Sequence, residues 1–467
     1  MKSLAILGAG PKAVAVQAKA HALRRLGLPA PDITVIDYQG IGGNWRSGGG
    51  WTDGRHQLGT SPTKDVGFPY RTRIAGRTEA DPLNRAVDRE LMSVSWPSFL
   101  VATDRYAAWV DRGHPAPRHY LWADYLRWAA VNTRMDLVNG QVTRIGLRNA
   151  RRTGLRDADG WSLSVDLADG STTRITADAL LVTGPGRSDR RIAPLPTVMS
   201  VSGFWSAVGS GSLPAASRVA VIGGGETAAS VTDEIIRHTV VDISVISPTA
   251  TIFSRGEGVF ENEIYTDPRK WVELDEDARR DVIARCDRGV FSGRVQTSLM
   301  AEDRVSHLRG RVLSVNDHHG SAAVHVARSL PGGQVAEHTE IFDLVIDARG
   351  NSPLWFTRMM DDRVVASLIS ACGGPVTTAA VEDRITPDLS LGGMRPTLFL
   401  PSLAGFRQGP GFANLSCLGE LSDRVLAGLG VSPAQSPAAG PAQSPAAGGV
   451  PTDLSTGTFP SSERITQ

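Results

Sequence analysis

The sequence predicts an α/β protein built on two Rossmann-like units with a smaller region between and around them. The prediction rests on one pattern that occurs at two places in the chain. Each unit begins with a short apolar run, a glycine-rich turn and an apolar helical stretch, and a second apolar run follows. The first unit starts at Ser3–Leu7 and the second at Arg218–Ile222. A helix that connects two parallel strands produces this pattern.

The remaining elements follow from shorter patterns. In the first unit the helix extends to about residue 26, and the second strand ends at Asp37. Apolar or Gly/Trp-rich runs then predict a loop region over 40–70, a helix over 122–131, strands at 161–165, 179–182, 241–246 and 342–346, and a last helix near 422–429.

These elements suggest four segments. Residues 1–205 and 336–430 form the two parts of the first nucleotide-binding domain, and 206–335 form the second. The stretch AQSPAAG occurs at 434–440 and again at 442–448, with little that could form a core. Residues 431–467 are therefore expected to be a disordered tail.

Composition excludes several classes of partner. The formal net charge is +1, which does not suggest nucleic-acid binding, and no apolar run reaches the roughly 20 residues of a membrane helix. Cys286, Cys372 and Cys417 form no CxxC or metal-ligand spacing, so reduced thiols in a cytoplasmic protein are expected. The pair His318 and His319 is interpreted as an exposed hairpin turn rather than a metal site. The sequence leaves open whether the protein forms a homo-oligomer.

Both glycine-rich turns fit the GxGxxA form of a dinucleotide-binding loop. Such glycines permit a tight turn and close approach of a diphosphate, which the helix N-terminus then attracts. One match alone is weak, but two occur here in the strand–turn–helix context. Their residues are Gly8, Gly10 and Ala13 in the first unit, and Gly223, Gly225 and Ala228 in the second.

The two units differ where their second strands end. Asp37 can accept hydrogen bonds from ribose hydroxyls and would repel a 2′-phosphate, which favours FAD or NAD at the first site. Ser247, Thr249 and Arg255 follow the second unit's strand and suit the 2′-phosphate of NADPH. Two such units predict a flavin reduced by a nicotinamide. Disulfide reductases and several monooxygenase classes share this plan, but the chain has no CxxC for dithiol chemistry.

Longer motifs narrow the class. The motifs are GGNW at 42–45, GWTDG at 50–54, LGTSPTKD at 58–65, FENEIY at 260–265 and GPGFANLSCLG at 409–419. Taken in this order with the nucleotide loops, they make the chain resemble the microbial lysine/ornithine N-monooxygenases, which are class B flavin-dependent N-hydroxylating enzymes. Within that family it most resembles the actinobacterial L-lysine N6-hydroxylases of mycobactin and nocobactin synthesis, to about residue 430.

The resemblance implies roles for individual residues. Lys64 matches the lysine that holds the substrate carboxylate, and Asn262 matches an asparagine that contacts the substrate backbone. Asp287 stands where the ornithine enzymes have an Asn-Tyr-Ser segment, and Ser416 lies in the Leu-Ser element near flavin and amine. The last strand of the FAD domain is expected at 347–350. The residues that the resemblance places at FAD are Trp45, Gly411 and Asn414.

The resemblance also implies the reaction. NADPH reduces FAD, O2 forms a C4a-hydroperoxyflavin, and the neutral side-chain amine of lysine is hydroxylated for siderophore assembly. No protein residue is expected to act as catalyst and no metal is expected, because the flavin performs the chemistry. Two alternatives stay open: L-ornithine N5-hydroxylation, since one methylene is discriminated by only about 1–3 kcal/mol, and a largely uncoupled flavin NADPH oxidase.

Overall fold

A computed structural model describes residues 2–148 and 159–430 of the chain. The expected disordered tail, 431–467, lies outside these residues. The strands are β1 (Ser3–Leu7), β2 (Asp32–Asp37), β3 (Asp136–Arg148), β4 (Gly160–Leu167), β5 (Thr172–Ala177), β6 (Ala179–Val182), β7 (Val198–Ser200), β8 (Arg218–Ile222), β9 (Asp242–Ser247), β10 (Phe253–Ser254), β11 (Val290–Phe291), β12 (Val305–Arg309), β13 (Arg311–His318), β14 (Ser321–Ser329), β15 (Val335–Phe342), β16 (Leu344–Asp347) and β17 (Thr397–Phe399).

The helices lie between these strands singly or in runs, together with several short 3-10 turns. The α-helices are α1 (Pro11–Arg25), α2 (Pro82–Met92), α3 (Trp96–Ala102), α4 (Tyr106–Asp111), α5 (His119–Asn132), α6 (Val201–Ser210), α7 (Glu226–Ile235), α8 (Val259–Thr266), α9 (Pro268–Val272), α10 (Glu276–Cys286), α11 (Gly293–Leu299), α12 (Asp362–Cys372), α13 (Thr378–Glu382), α14 (Gly405–Gln408) and α15 (Leu418–Gly428).

The first sheet has the strand order β17-β6-β1-β2-β3-β4-β5. Strands β17, β6, β1, β2 and β3 are parallel neighbours, whereas β3, β4 and β5 pair in antiparallel fashion. The predicted βαβ opening is confirmed, because β1 pairs in parallel with β2 across helix α1. This arrangement brings the carboxyl ends of β6, β1 and β2 to one edge, where ligands bind in open parallel sheets.

The second sheet has the order β12-β9-β8-β16-β7, and its neighbouring strands are parallel. The second predicted βαβ unit is therefore confirmed as well. Two of its strands lie outside the expected range 206–335, since β7 precedes that range and β16 follows it. Asp347 ends β16, so the expectation that 347–350 belong to the first domain was wrong. Short apolar runs give no signal of which sheet they join.

The predicted strand over 342–346 is in fact two strands, β15 and β16, that belong to different sheets. Asp343 separates them, and its Oδ2 accepts the backbone N–H groups of Ser217 at 2.8 Å and Arg218 at 2.9 Å. β15 completes an antiparallel sheet with β13 and β14. The hairpin between β13 and β14 contains His318 and His319, which are exposed, as the hairpin interpretation expected.

Helix α1 is packed deeply enough to bury a lysine. The Nζ of Lys19 donates to Oδ1 of Asp423 on α15 at 2.8 Å and to Oγ1 of Thr72 at 2.6 Å, and Lys19 is 2% exposed. The other oxygen of Asp423 accepts the backbone N–H of Arg73 at 2.9 Å. Burial raises the pKa of Asp423 to about 6, although Lys19 opposes this. The pair joins the first helix to the last one described and to a loop between them.

Two further observations concern the described part of the chain. None of its helices combines the length and apolar character needed to cross a membrane. Cys286, Cys372 and Cys417 are buried and form no disulfide with one another.

We expect Lys19→Met to lower the free energy of unfolding by about 3–5 kcal/mol, because Asp423 would stay buried without its cation. Urea unfolding followed by tryptophan fluorescence measures the loss. Lys2→Met is the control: Lys2 is exposed, and surface changes usually stay within about 0.5 kcal/mol. Equal losses in both variants would contradict a stabilising role for the buried pair.

Candidate functional site

A first cavity of about 360 Å³ lies at the carboxyl edge of the first sheet. It is bounded by the glycine turn after β1 and by residues 413–415. Five of the residues expected to bind FAD line it, namely Gly8, Gly10, Asp37, Trp45 and Asn414.

The glycine turn leaves room for a ligand at the start of α1. Gly8 has φ +101°, and a Cβ there would lie 2.6 Å from Oγ1 of Thr183. A Cβ on Gly10 would meet no atom within 4 Å. Gly10 is also the N-cap of α1, whose free N–H groups carry the positive end of the helix dipole. The turn therefore fits the diphosphate of FAD.

Asp37 ends β2 and holds the turn in place. Its Oδ2 accepts the backbone N–H of Ala9 at 2.8 Å, and its Oδ1 accepts that of Gln39 at 2.7 Å. Burial raises the pKa of Asp37, while these hydrogen bonds act in the opposite direction. A carboxylate oxygen has more than one lone pair, so Asp37 can still accept a ribose hydroxyl.

Two residues expected at FAD do not line this cavity. Ala13 is fully buried in the core beneath the turn. Gly411 is needed for close packing, because a Cβ there would lie 2.0 Å from the carbonyl oxygen of Tyr265. Ala13 and Gly411 therefore allow close packing behind the cavity and do not face the ligand space.

A second cavity of about 420 Å³ lies at the carboxyl edge of the second sheet. Gly223 and Gly225 line it, while Ala228 is fully buried below. Gly223 has φ +143°, and a Cβ there would come within 2.4 Å of the carbonyl oxygen of Ala348. Residues 348–350 form the opposite wall, which explains why this segment belongs to the second unit.

Ser247 and Thr249 stand beside this cavity, whereas Arg255 does not. Oγ of Ser247 lies 2.9 Å from Oγ1 of Thr249 and 2.9 Å from Nε2 of His307. The backbone N–H of Arg255 donates to the carbonyl oxygen of Phe291 at 2.8 Å, in the β10–β11 pair. That pairing carries Arg255 to the wall of a third cavity, where it faces Glu226 at 3.9 Å.

Arg311 is a cation at the second cavity that sequence reasoning missed. It begins β13, directly after Gly310, whose N–H donates to the carbonyl oxygen of Ser247 at 2.8 Å. Arg309 stands opposite Ser247 in the pairing of β12 with β9. The register of this pair has no local signal in the sequence, since 62 residues separate Arg309 from Ser247.

The third cavity, of about 500 Å³, adjoins the first. Both are lined by the same four residues, which form a junction: Trp45, His119, Asn414 and Leu415. All four residues expected to bind substrate line the third cavity, namely Lys64, Asn262, Asp287 and Ser416. Its walls come from both nucleotide units, because 57–61 belong to the first and Glu226 to the second.

Lys64 and Asn262 are in direct contact. Nζ of Lys64 donates to Oδ1 of Asn262 at 2.6 Å, and burial lowers the pKa of Lys64. Nδ2 of Asn262 donates to the carbonyl oxygen of Glu257 at 2.7 Å and to that of Gly258 at 3.1 Å. The start of α8 therefore orients the amide so that its oxygen faces the lysine.

The neighbouring Asp65 fixes the loop that carries Lys64. Asp65 is 1% exposed, and its carboxylate accepts the N–H of Trp96 at 2.8 Å and of Gly67 at 3.1 Å and the hydroxyl of Tyr70 at 2.7 Å. Burial raises its pKa to about 6, although these hydrogen bonds act in the opposite direction. The backbone at Lys64 is therefore held in place by the hydrogen bonds of the adjacent buried carboxylate.

Asp287 and Ser416 also line the third cavity. Asp287 follows the last residue of α10, and burial raises its pKa while Arg255 and Arg288 act in the opposite direction. Ser416 is 6% exposed, and its N–H donates to Oδ1 of Asn414 at 2.9 Å. The cavity therefore offers both signs of charge, which suits a zwitterionic amino acid.

His119 is a junction residue that sequence reasoning missed. It begins α5, and its Nδ1 lies 2.9 Å from Oγ1 of Thr52. Its ring packs edge-on against Trp45 with centroids 4.9 Å apart. Burial lowers the pKa of His119 to about 4, so the imidazole is neutral near pH 7. The junction between the two cavities therefore carries no ionised side chain.

His56 joins the two units beside this junction. Its Nε2 lies 3.0 Å from Oε2 of Glu234 and its Nδ1 3.3 Å from Oδ2 of Asp233, both on α7. Although burial acts to lower the pKa of His56, the two carboxylates outweigh it and raise the value. Arg294 on α11 also contacts Asp233, at 2.9 Å.

Comparison with known proteins gives the family. Residues 92–302 match the family described as L-lysine 6-monooxygenase/L-ornithine 5-monooxygenase. The chain is 47% identical over 438 residues to the L-lysine N6-monooxygenase MbtG of Mycobacterium sp. (strain MCS), covering 93% of this chain and 97% of that protein. The chain belongs to the lysine/ornithine monooxygenase family. It is a flavin-dependent monooxygenase, and the family's cofactors are FAD and NADPH with O2 as co-substrate.

Other members agree with this placement. The MbtG protein of Mycobacterium tuberculosis (strain H37Rv) is 46% identical and covers 91% of this chain and 94% of its own length. The solved lysine monooxygenase NbtG of Nocardia farcinica has 47% identity and a TM-score of 0.79, covering 91% of this chain and all of its own. An ornithine N-hydroxylase of Kutzneria sp. 744, at 15% identity and TM-score 0.67, shares the fold.

We expect Arg311→Ala to raise the KM for NADPH about 10-fold or more, because a guanidinium that binds a phosphate contributes about 1.5–3 kcal/mol. The KM for NADH, which lacks the 2′-phosphate, should change little. Stopped-flow flavin reduction with each nicotinamide measures both. Arg255→Ala is the matched comparison: a larger loss of NADPH selectivity there than at Arg311 would contradict the placement of the phosphate site at Arg311.

Proposed function

We propose that this chain is an NADPH-dependent L-lysine N6-monooxygenase that serves siderophore biosynthesis of the mycobactin/nocobactin type. The names of its relatives in Mycobacterium and Nocardia support lysine as the substrate. The observation that carries the proposal is the junction: a cavity with cationic and anionic groups shares with the first cavity four lining side chains that carry no charge.

The first cavity is assigned to FAD and the second to NADPH. The turn of Gly8 and Gly10 and the carboxylate of Asp37 support FAD in the first. The turn of Gly223 and Gly225 supports a second dinucleotide. For the 2′-phosphate we now favour Arg311, with Ser247 and Thr249 beside it, over Arg255. Dependence on NADPH supports the expected cytoplasmic location.

Recognition of the amino-acid end is assigned to the third cavity. The ammonium of Lys64 binds the substrate carboxylate, and Asn262 and Ser416 offer neutral hydrogen-bonding groups to the substrate backbone. Asp287 is a buried carboxylate that fits the substrate α-ammonium. These charges fix one end of the substrate and leave its side chain to extend toward the junction.

The reacting end lies at the uncharged junction. Reduced FAD, when bound in the first cavity, would activate O2, which is the source of the transferred oxygen atom. A lysine side-chain ammonium has a pKa of about 10.4 in water, so the protein must favour loss of its proton. Neutral His119 and the apolar surfaces of Trp45 and Leu415 offer no counter-charge, and burial among them lowers the pKa of an amine. The same packing excludes water from the reacting atoms.

The two alternatives give different stoichiometries. The experiment measures hydroxylamine formed, NADPH consumed and O2 consumed with L-lysine, L-ornithine and 1,5-diaminopentane. The proposal expects lysine to give the highest kcat/KM and close to one hydroxylamine per NADPH. A preference for ornithine would replace the substrate, and NADPH consumption without hydroxylamine for any amine would show an oxidase.

We expect Lys64→Met to raise the KM for lysine about 10- to 100-fold, because a hydrogen bond to a charged group contributes about 1.5–3 kcal/mol. NADPH-driven flavin reduction should stay within about twofold of the unchanged protein, since uniform substrate binding is what is lost. The substrate 1,5-diaminopentane has no carboxylate, so its KM should not respond. Equal losses with both substrates would contradict the role given to Lys64.

A further inference from the structure

Helix α1 carries two buried lysines whose surroundings differ. Lys19 is paired with Asp423 at 2.8 Å. Lys12, the second residue of the helix, is 9% exposed and forms no ion pair with any residue of 2–148 or 159–430. Burial of an ammonium without a counter-charge is costly. Within the protein this charge is opposed only at longer range, chiefly by the carboxylate of Asp287.

The hydrogen-bond acceptors of Lys12 are neutral groups. Its Nζ donates to the carbonyl oxygen of Ala413 at 2.9 Å and to Oγ of Ser402 at 3.3 Å. Oγ of Ser402 in turn donates to the carbonyl oxygen of Thr183 at 3.0 Å. An ammonium has three N–H groups, so one is left over. Lys12 and Ala413 both line the first cavity.

The position on the helix points to the same ligand. Pro11 has no N–H, so the start of α1 lacks one of the donors that usually face a diphosphate. Lys12 follows at once and places a cation in the same cavity wall. Burial lowers its pKa to about 8, while Cys417 and Asp287 act in the opposite direction.

We propose that Lys12 is a buried counter-ion for the negative charge of FAD, and that bound FAD offsets most of the cost of burying its ammonium. The proposal rests on the assignment of the first cavity to FAD. Two parts of FAD could supply the charge: the diphosphate, which is charged in both redox states, and the ring system, which becomes anionic on reduction. The glycine turn beside Lys12 favours the diphosphate.

The variant Lys12→Met keeps the length of the side chain and removes its charge. We expect the dissociation constant for oxidised FAD, measured by equilibrium dialysis, to rise about 10- to 100-fold. The FAD-free protein should melt at an unchanged or higher temperature, since an unpaired buried charge has gone. Lys12→Arg keeps the charge and should retain most of the affinity.

Lys19→Met is the matched control on the same helix. It should lower the melting temperature and leave the FAD dissociation constant within about twofold, because its charge already has a protein partner. If Lys12→Met also lowers the melting temperature of the FAD-free protein, Lys12 is a structural residue and the proposal is overturned. Unchanged FAD affinity together with an unchanged flavin reduction potential overturns it as well.

The remaining outcomes show which part of FAD carries the negative charge that Lys12 compensates. Weaker binding of oxidised FAD identifies the diphosphate, whereas a lowered reduction potential with unchanged oxidised affinity identifies the reduced ring. FAD binding by the unchanged protein tests the cavity assignment separately: failure to bind FAD at all would remove the proposed function, while normal binding with an inert Lys12 would remove only this inference.

A pH titration of the unchanged protein needs no variant. Anion binding raises the pKa of Lys12, so FAD affinity should be constant below about 8 and fall as pH rises through that value. The titratable groups that face Lys12 are Asp287 and Cys417, whose own pKa values are raised by burial. Because burial raises the pKa of Cys417 far above its ordinary value, the thiol stays protonated in this window. A flat profile would overturn the proposal.

Discussion

The arrangement of the third cavity depends on the buried contact between His56 and the two acidic residues of α7. That cavity has one wall from the first nucleotide unit and another from the second. His56 belongs to the loop that also carries Lys64, and Asp233 and Glu234 belong to the helix that begins at the second glycine turn. Because all three side chains are buried, any change in the relative position of loop and helix would expose or separate charges.

The same contact links the second cavity to the third. Helix α7 starts with Glu226, whose Oε2 accepts the backbone N–H of Ser292 at 2.9 Å and which also lines the third cavity. One helix thus has its first turn at the second cavity and its later residues against His56. Both cavities therefore share one structural element, and a displacement of α7 would alter the lining of each.

Local chemistry made part of this structure predictable from sequence. Glycine turns between a strand and a helix are read within about ten residues, and both βαβ units were found that way. Lys64 and Asn262 came from family motifs and do meet, at 2.6 Å. Arg255 and Arg311 could not be placed, because each depends on a strand register set by distant residues. His56 and Glu234 are 178 positions apart, and no local pattern connects them.

The hydrogen bond between Lys64 and Asn262 involves none of the four junction residues. Lys64 and Asn262, to which the proposal gives the amino-acid end, lie on the loop at 57–64 and on α8, whereas the junction is formed by Trp45, His119, Asn414 and Leu415. On the proposed assignment, the residues beside the substrate side chain therefore differ from the pair that holds its carboxylate. A substitution confined to the junction would then alter which amine fits and leave that pair intact.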